Sequence, residues 1–285
     1  MRPFAPSLRL GLIGGNITAT RSPALHMVCG LATGYNVTYD LVIPAERGCD
    51  FETAFETCRK AGFTGVNVTY PFKELSVQLA QPASAVVAAM GAANTVKFTP
   101  EGPRAHNTDF SGFKAGYRAV LPDLAPGRVL MIGAGGVGRA IAFALADLGA
   151  QEITLCDTDP SKAEALAEAV HAHSGLRISV AGAAPRRDLH GFDGVVNCTP
   201  LGMVGREGSP LPEDVAGQVG WAFDAVYTPA HTIFRGQMTR LGARFLSGYE
   251  LYFHQGIDAF EIFSGEAVRD QDWVRATLAH RAGEE

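Results

Sequence analysis

Cysteine is scarce in this 285-residue chain. There are five (Cys29, Cys49, Cys58, Cys156, Cys198), an odd number with no C-x-x-C spacing. That excludes a disulfide framework or a thiolate metal centre as the basis of the fold and points to reduced thiols in a cytoplasmic protein. Long apolar runs are also missing. No stretch reaches the ~18 residues a membrane span needs, so no membrane partner is expected. Residues 1–10 lack a long apolar run after their basic start, so no signal peptide is read. No basic block occurs, and a net charge of -5 argues against nucleic-acid binding. His171, His173 and His190 lack ligand spacing with other donors, so no metal is expected. There is no internal repeat or low-complexity tract. What is present is the composition of a soluble globular enzyme, 47% hydrophobic and 19% charged, with length enough for two domains.

The first hundred residues alternate strand and helix patterns. Strands are read at Leu8–Ile13, Val37–Ile43, Gly65–Thr69 and Asn94–Phe98. Ser22-Pro23 opens a helix, with serine as N-cap and proline at the first helical position. Asp50–Ala61 is helical with Phe51, Phe55 and Cys58 on one face, and Pro71 starts another helix. This alternation predicts a mainly parallel sheet with helices on its faces. From Ser111 a second unit follows, with strands at Arg128–Ile132, Glu152–Asp157, Arg177–Val180, Gly194–Cys198, Ala222–Val226 and Arg244–Leu246. That is a doubly wound nucleotide-binding pattern. Two helices after Gly248 are expected to return to the first domain. The fold class is therefore α/β with two domains. One is a discontinuous substrate domain (1–110 completed by 249–285), the other a Rossmann-type dinucleotide domain (111–248).

The loop Gly133-Ala134-Gly135-Gly136-Val137-Gly138 follows a buried strand and opens an alanine-rich helix. G-x-G-x-x-G alone is a weak signal, and this context strengthens it. Gly133 permits the tight turn, Gly135 lets backbone approach a pyrophosphate, and Gly138 allows close strand–helix packing at a helix N-terminus. Asp157 ends the next strand, where an acidic residue receives ribose hydroxyls and repels a 2′-phosphate. This favours NAD over NADP. Asp159 reads better as a helix cap for the segment starting at Ser161.

Two polar clusters stand at strand ends. The first is Asn67-Val68-Thr69-Tyr70-Pro71-Phe72-Lys73, the second Asn107-Thr108-Asp109. Lys73 can be read as a solvated first-turn lysine and Asp109 as an N-cap. A first-turn lysine opposes the helix dipole, however. Beside a cofactor loop, a lysine and an aspartate can form a proton-transfer pair for oxidation of an alcohol.

These segments, with Thr20-Arg21-Ser22-Pro23-Ala24-Leu25-His26, Gly91-Ala92-Ala93-Asn94-Thr95-Val96, Asn197-Cys198-Thr199-Pro200-Leu201-Gly202-Met203, Asp224-Ala225-Val226-Tyr227-Thr228-Pro229 and His254-Gln255-Gly256, stand in the order of one family. Over nearly its whole length the chain resembles the shikimate/quinate dehydrogenase family, most of all its NAD-dependent quinate/shikimate branch. The resemblance implies that Lys73 and Asp109 are the catalytic pair at the ring C3 hydroxyl. It implies that Thr20 and Ser22 hold the substrate carboxylate, that Thr69, Asn94 and Gln255 hold ring hydroxyls, and that Tyr227 closes the site. Asn197, Thr199, Met203, Val226 and Gly248 would border the cofactor, and the protein would be a monomer or homodimer.

Four positions depart from the family pattern. Thr20-Arg21-Ser22 replaces Ser-x-Ser and adds a methyl beside the carboxylate. Asp157-Thr158-Asp159 lacks the arginine of the NADP-type Asn-Arg-Thr stretch. Glu250-Leu251 replaces Gly-Met, and Cys198 replaces alanine, read as a small buried filler or else a free thiol near the cofactor open to oxidation. Three other readings stay open: an NADP-dependent biosynthetic shikimate dehydrogenase, a paralogue for a related cyclic polyol acid, and a non-catalytic NAD sensor.

Overall fold

Strand β1 (Ser7–Ile13) buries Leu8, Leu10, Leu12 and Ile13 and pairs on both edges, which places it inside a sheet. The computed structural model describes residues 5–182 and 186–282. It divides the chain into two compact units: Met1–Thr108 with Gln255–Glu285, and Asp109–His254.

In the first unit β1 leads to α1 (Ser22–Thr33), β2 (Asn36–Val42), α2 (Phe51–Lys60), β3 (Gly65–Val68), α3 (Lys73–Leu79), β4 (Gln81–Pro82), α4 (Ala85–Met90), β5 (Thr95–Thr99) and β6 (Gly102–His106). The sheet order is β2-β1-β3-β5-β6-β4. Strands β2, β1 and β3 are parallel, but β5 runs antiparallel to β3, and β6 antiparallel to β5. The sheet is thus mixed, where alternation predicted mainly parallel pairing. The reversal has a consequence for position. The C-terminal ends of β1, β3 and β6 and the start of β5 share one edge, so the residues following or preceding them gather there. Helix α2 buries Phe51, Phe55 and Cys58 into the cluster that includes Ile13, Val42, Val66, Val68 and Val96, and Asp50 caps it by accepting from Thr53 N at 2.8 Å.

Two expected boundaries move. Ser22 lies inside α1, whose N-cap is Arg21 with no side-chain cap, so Ser22 Oγ is not spent on capping. Helix α3 starts at Lys73 and not at Pro71, because Phe72 N closes a turn onto Thr69 O at 2.9 Å before the first helical residue.

The second unit runs from α5 (Thr108–Val120) through β7 (Arg128–Ile132), α6 (Gly136–Asp147), β8 (Glu152–Cys156), α7 (Pro160–Ser174), β9 (Ile178–Ala181), β10 (Gly194–Asn197), β11 (Trp221–Asp224), α8 (Ile233–Arg240) and β12 (Arg244–Ser247). The chain continues as α9 (Gly248–Ser264) and ends in α10 (Gln271–Ala282), which packs on α1 within the first unit. All six strands of the second sheet are parallel, in the order β12-β11-β10-β7-β8-β9. Strand order reverses between β7 and β10, the crevice at which doubly wound sheets bind ligands. Aromatic edge contacts seat α5 on this sheet, Phe113 on Phe223 and Tyr117 on Trp221, each pair with centroids 5.0 Å apart. Among the described residues no helix is long and apolar enough to cross a membrane, and no cluster of His, Cys, Asp and Glu is arranged to hold a metal.

Candidate active site

The polar edge of the first sheet is built by backbone ties. Thr69 follows β3, and its N–H donates to Ile13 O at 3.0 Å, while Gly15 N donates to Tyr70 O at 2.9 Å. These bonds hold the exits of β1 and β3 together. The Lys73 carbonyl accepts from Ala93 N at 2.9 Å and Ser76 Oγ at 2.7 Å, with Ser76 fully buried. Phe72, next to it, stacks on Phe51 with centroids 4.9 Å apart. The base of the half-buried Lys73 side chain is therefore fixed from three sides. Thr20 Oγ1 donates to Ser22 Oγ at 3.1 Å and accepts from Ser22 N at 3.2 Å, so two hydroxyls sit side by side at the N-terminus of α1. That arrangement suits an anion: hydroxyl donors and a helix N-terminus without a full counter-charge.

Beneath the same edge lies a buried amide and hydroxyl network. Tyr39 Oη donates to Asn67 Oδ1 at 2.9 Å, and Asn67 Nδ2 donates to Thr95 Oγ1 at 3.0 Å. Asn94 Oδ1 accepts from Thr108 N at 2.7 Å, and its Nδ2 donates to Thr108 Oγ1 at 3.0 Å and toward Gln255 Oε1 at 3.4 Å. Asn94 and Gln255 are thus brought together. Asn67, Thr95 and Thr108, which sequence reasoning passed over as site residues, are what orient them. A signal existed: Asn67 is a polar residue in the middle of an otherwise apolar strand, and such a residue needs a partner.

The dinucleotide loop occupies the exit of β7 in the second unit. Gly133 has φ +105° and its α-carbon lies against Cys198 and Thr199 backbone, so no side chain fits there. A Cβ on Gly138 would collide with the Gly133 carbonyl, whereas Gly135 is exposed with open space beside it. Open backbone at the middle glycine, with closed packing at the outer two, is the arrangement a pyrophosphate requires. Ala134 and the half-buried Gly136 and Val137 complete the loop. Asp157 Oδ2 accepts from Ala134 N at 2.6 Å and its Oδ1 from Asp159 N at 2.8 Å. This carboxylate, the residue after β8, thus braces the loop. Asp159 is the N-cap of α7, accepting from Ser161 N at 3.1 Å. The exposed Thr158 brings no cation, and Lys162 pairs with Asp159 at 3.7 Å. Arg186, not noticed in the sequence, lies over the Phe192 ring at 5.5 Å.

At the exit of β10, Asn197 is fully buried and Thr199 partly so, while Met203 is 46% exposed. Val226 is buried after β11, and Gly248 fits tightly against the Asp224 and Ala225 carbonyls. Tyr227 stacks on Tyr252 at 5.4 Å. Asp109 is buried in the first turn of α5. Glu250 lies in the first turn of α9 with Oε2 3.6 Å from His254 Nε2, and Leu251 is buried. Burial, aided by the charge of Asp224, pushes the Cys198 thiol up out of the range of physiological ionisation. The oxidation sensitivity expected there is therefore not supported, because the thiolate is the reactive form.

A glycine loop on a doubly wound parallel sheet, with an acidic residue ending the second strand, defines a dinucleotide-binding α/β protein. Residues 12–96 match the shikimate dehydrogenase substrate binding domain. The chain is 37% identical over 279 residues to the quinate/shikimate dehydrogenase (NAD(+)) of Corynebacterium efficiens, covering 95% of this chain and 98% of that protein. It is 36% identical over 284 residues to the shikimate dehydrogenase (NADP(+)) of Streptomyces avermitilis, covering 97% of each. It superposes on the solved quinate dehydrogenase from Corynebacterium glutamicum in complex with NAD with a TM-score of 0.89 at 34% identity, over 96% of this chain and 99% of that one. The chain belongs to the shikimate/quinate dehydrogenase family.

Proposed function

We propose that this protein oxidises the ring C3 hydroxyl of quinate or shikimate by hydride transfer to NAD, giving the 3-dehydro acid. The observation that carries the cofactor choice is Asp157. Overall identity does not decide it, since NAD- and NADP-named relatives match at 37% and 36%. A carboxylate ending β8, with threonine and not arginine after it, accepts ribose hydroxyls and repels a 2′-phosphate.

The glycine loop Gly133–Gly138 takes the pyrophosphate, and Thr199, Met203, Val226 and Gly248 border the dinucleotide. When bound, the nicotinamide supplies the hydride acceptor. Thr20 and Ser22 bind the carboxylate of the acid. Thr69, Asn94 and Gln255 match ring hydroxyls, since amides both donate and accept. Lys73 and Asp109 receive and pass on the hydroxyl proton, and Tyr227 covers the ring. We assign substrate binding to residues 1–110 with 249–285, and the dinucleotide to residues 111–248.

The test is an initial-rate comparison of quinate and shikimate, each with NAD and NADP. Turnover of either acid with NAD, well above NADP, is the expected result. Turnover only with NADP would return the chain to the biosynthetic branch. NAD binding without turnover of either acid would reject the substrate assignment.

A further inference from the structure

Asp224, the last residue of β11, is a fully buried carboxylate. Among the described residues no cation pairs with it. It receives three hydrogen bonds instead: Asn197 Nδ2 and Val226 N donate to Oδ1, each at 3.0 Å, and Thr232 Oγ1 donates to Oδ2 at 2.7 Å. Burial raises its pKa, and the three donors oppose that rise. All three neighbours are donors, which suits the ionised form. An unpaired buried charge is costly, so the arrangement calls for an account beyond stability.

The account lies in what Asn197 does. Its Oδ1 accepts from Thr199 N at 2.9 Å and Thr199 Oγ1 at 2.7 Å. Its Nδ2 donates to Leu201 O at 3.3 Å as well as to Asp224. Thr199 Oγ1 in turn accepts from Leu201 N at 3.2 Å. The four hydrogen-bonding positions of the Asn197 amide are therefore filled, three of them within its own turn. The fourth, to Asp224, is the side chain's one anchor outside that turn. The same turn presses on Gly133, because Cys198 N donates to Ile132 O at 2.7 Å and the Cys198 carbonyl carbon stands 2.8 Å from where a Gly133 Cβ would be. Thr232 plays a separate part: it caps α8 by accepting from Arg235 N at 3.1 Å.

We propose that Asp224 is a positioning residue for the cofactor. Through Asn197 it sets the conformation of the turn Asn197–Met203, and it does so without touching the dinucleotide. A doubly wound sheet is two mononucleotide-binding halves. The half β7-β8-β9 carries the glycine loop and Asp157. Asp224 and the turn belong to the half β10-β11-β12, and so to the nicotinamide end. The proposal rests on the NAD reading above.

The test measures binding, not turnover. NAD and ADP-ribose, which lacks the nicotinamide, are titrated into wild type, Asp224→Ala, Asp224→Asn and Thr232→Val, with a melting temperature for each. Asp224→Ala should weaken NAD by about ten-fold or more, the effect of stranding a buried hydrogen-bonding group, and leave ADP-ribose within about two-fold. Asp224→Asn keeps an acceptor for Asn197 and Val226 and should recover most of the loss. Thr232→Val removes the bond to Asp224 Oδ2 and the cap of α8 but leaves the Asn197 bond, so it should lower the melting temperature and spare NAD affinity. If Asp224→Ala does not fold, Asp224→Ser, whose single short hydroxyl cannot serve all three donors, takes its place and should show the same NAD-selective loss. Equal weakening of NAD and ADP-ribose, or a Thr232→Val effect on NAD matching that of alanine at 224, would overturn the proposal and leave Asp224 a structural residue. Wild type that binds neither ligand would reject the NAD reading itself.

Discussion

Acidification should destabilise this protein through His26. The ring is 1% exposed and lies among Tyr39, Phe263 and Phe260, with centroids 4.9, 6.0 and 6.5 Å away. Its Nδ1 donates to the Ser22 carbonyl at 3.0 Å, which leaves Nε2 as the unprotonated nitrogen, and Nε2 has no partner. A second proton would bring a charge into this apolar setting with nothing to receive it. Burial accordingly lowers the pKa from 6.5 to about 4. The sign follows from linkage. The unfolded chain takes up the proton near 6.5, and the folded chain does not until about 4. The stability is present in full above 6.5 and is lost progressively as pH falls toward 4. At pH 5 the loss is about 2 kcal/mol, and it levels off near ~3 kcal/mol below pH 4. The assay is urea unfolding followed by circular dichroism at pH 7 and pH 5, for wild type and His26→Met. Methionine fills the space without titrating. Wild type should lose about 2 kcal/mol more than the variant between these pH values. Equal losses would mean that His26 is already protonated in the fold, or is not buried as described.

Three further outcomes are expected. Lys73→Ala should lower turnover by about 10²–10⁴-fold, the usual worth of acid–base help, with a much smaller change in the Michaelis constant for the acid. Near-native turnover would make Lys73 a structural residue. Ser22→Ala should raise the Michaelis constant for both quinate and shikimate. Thr20→Ser, which loses only a methyl, should shift the ratio between them, and an unchanged ratio would remove Thr20 as the selector. The double change Asp157→Asn with Thr158→Arg should erase or reverse the preference for NAD by removing like charge and adding a phosphate fork, measured as the ratio of kcat/KM for the two cofactors. A double variant that still strongly favours NAD would show that Asp157 does not set the choice.

Much of this was legible in the sequence where one residue type answers to one local need. The apolar face of α2, the glycine loop after a buried strand and the Asp159 cap all appear as read. What stayed hidden has a common cause, namely that it depends on distant partners. The reversal of β5 leaves no trace in Thr95–Thr99, since alternation is the same in either direction. Strand β6 contains Pro103 and Arg104 and shows no alternation, so nothing in the sequence marks it as a strand. Ser22 resembled an N-cap because Ser-Pro usually is one, and only the backbone of Arg21 shows otherwise. At the site, residue types that carry chemistry stood out, whereas Thr95 and Thr108 act by holding others and could be recognised only once their partners were in place; Asn67 showed itself only as a polar residue in an apolar strand.

The brace between Asp157 and Ala134 links two traits that selection would otherwise tune apart. One carboxylate accepts from the backbone of the glycine loop and, on the proposed reading, also faces the adenosine ribose. A replacement with no side-chain oxygen would loosen the loop in the same step, whereas asparagine still offers an amide oxygen to the Ala134 N–H. On the proposed reading, a change of cofactor through this position is therefore confined to side chains that can still accept.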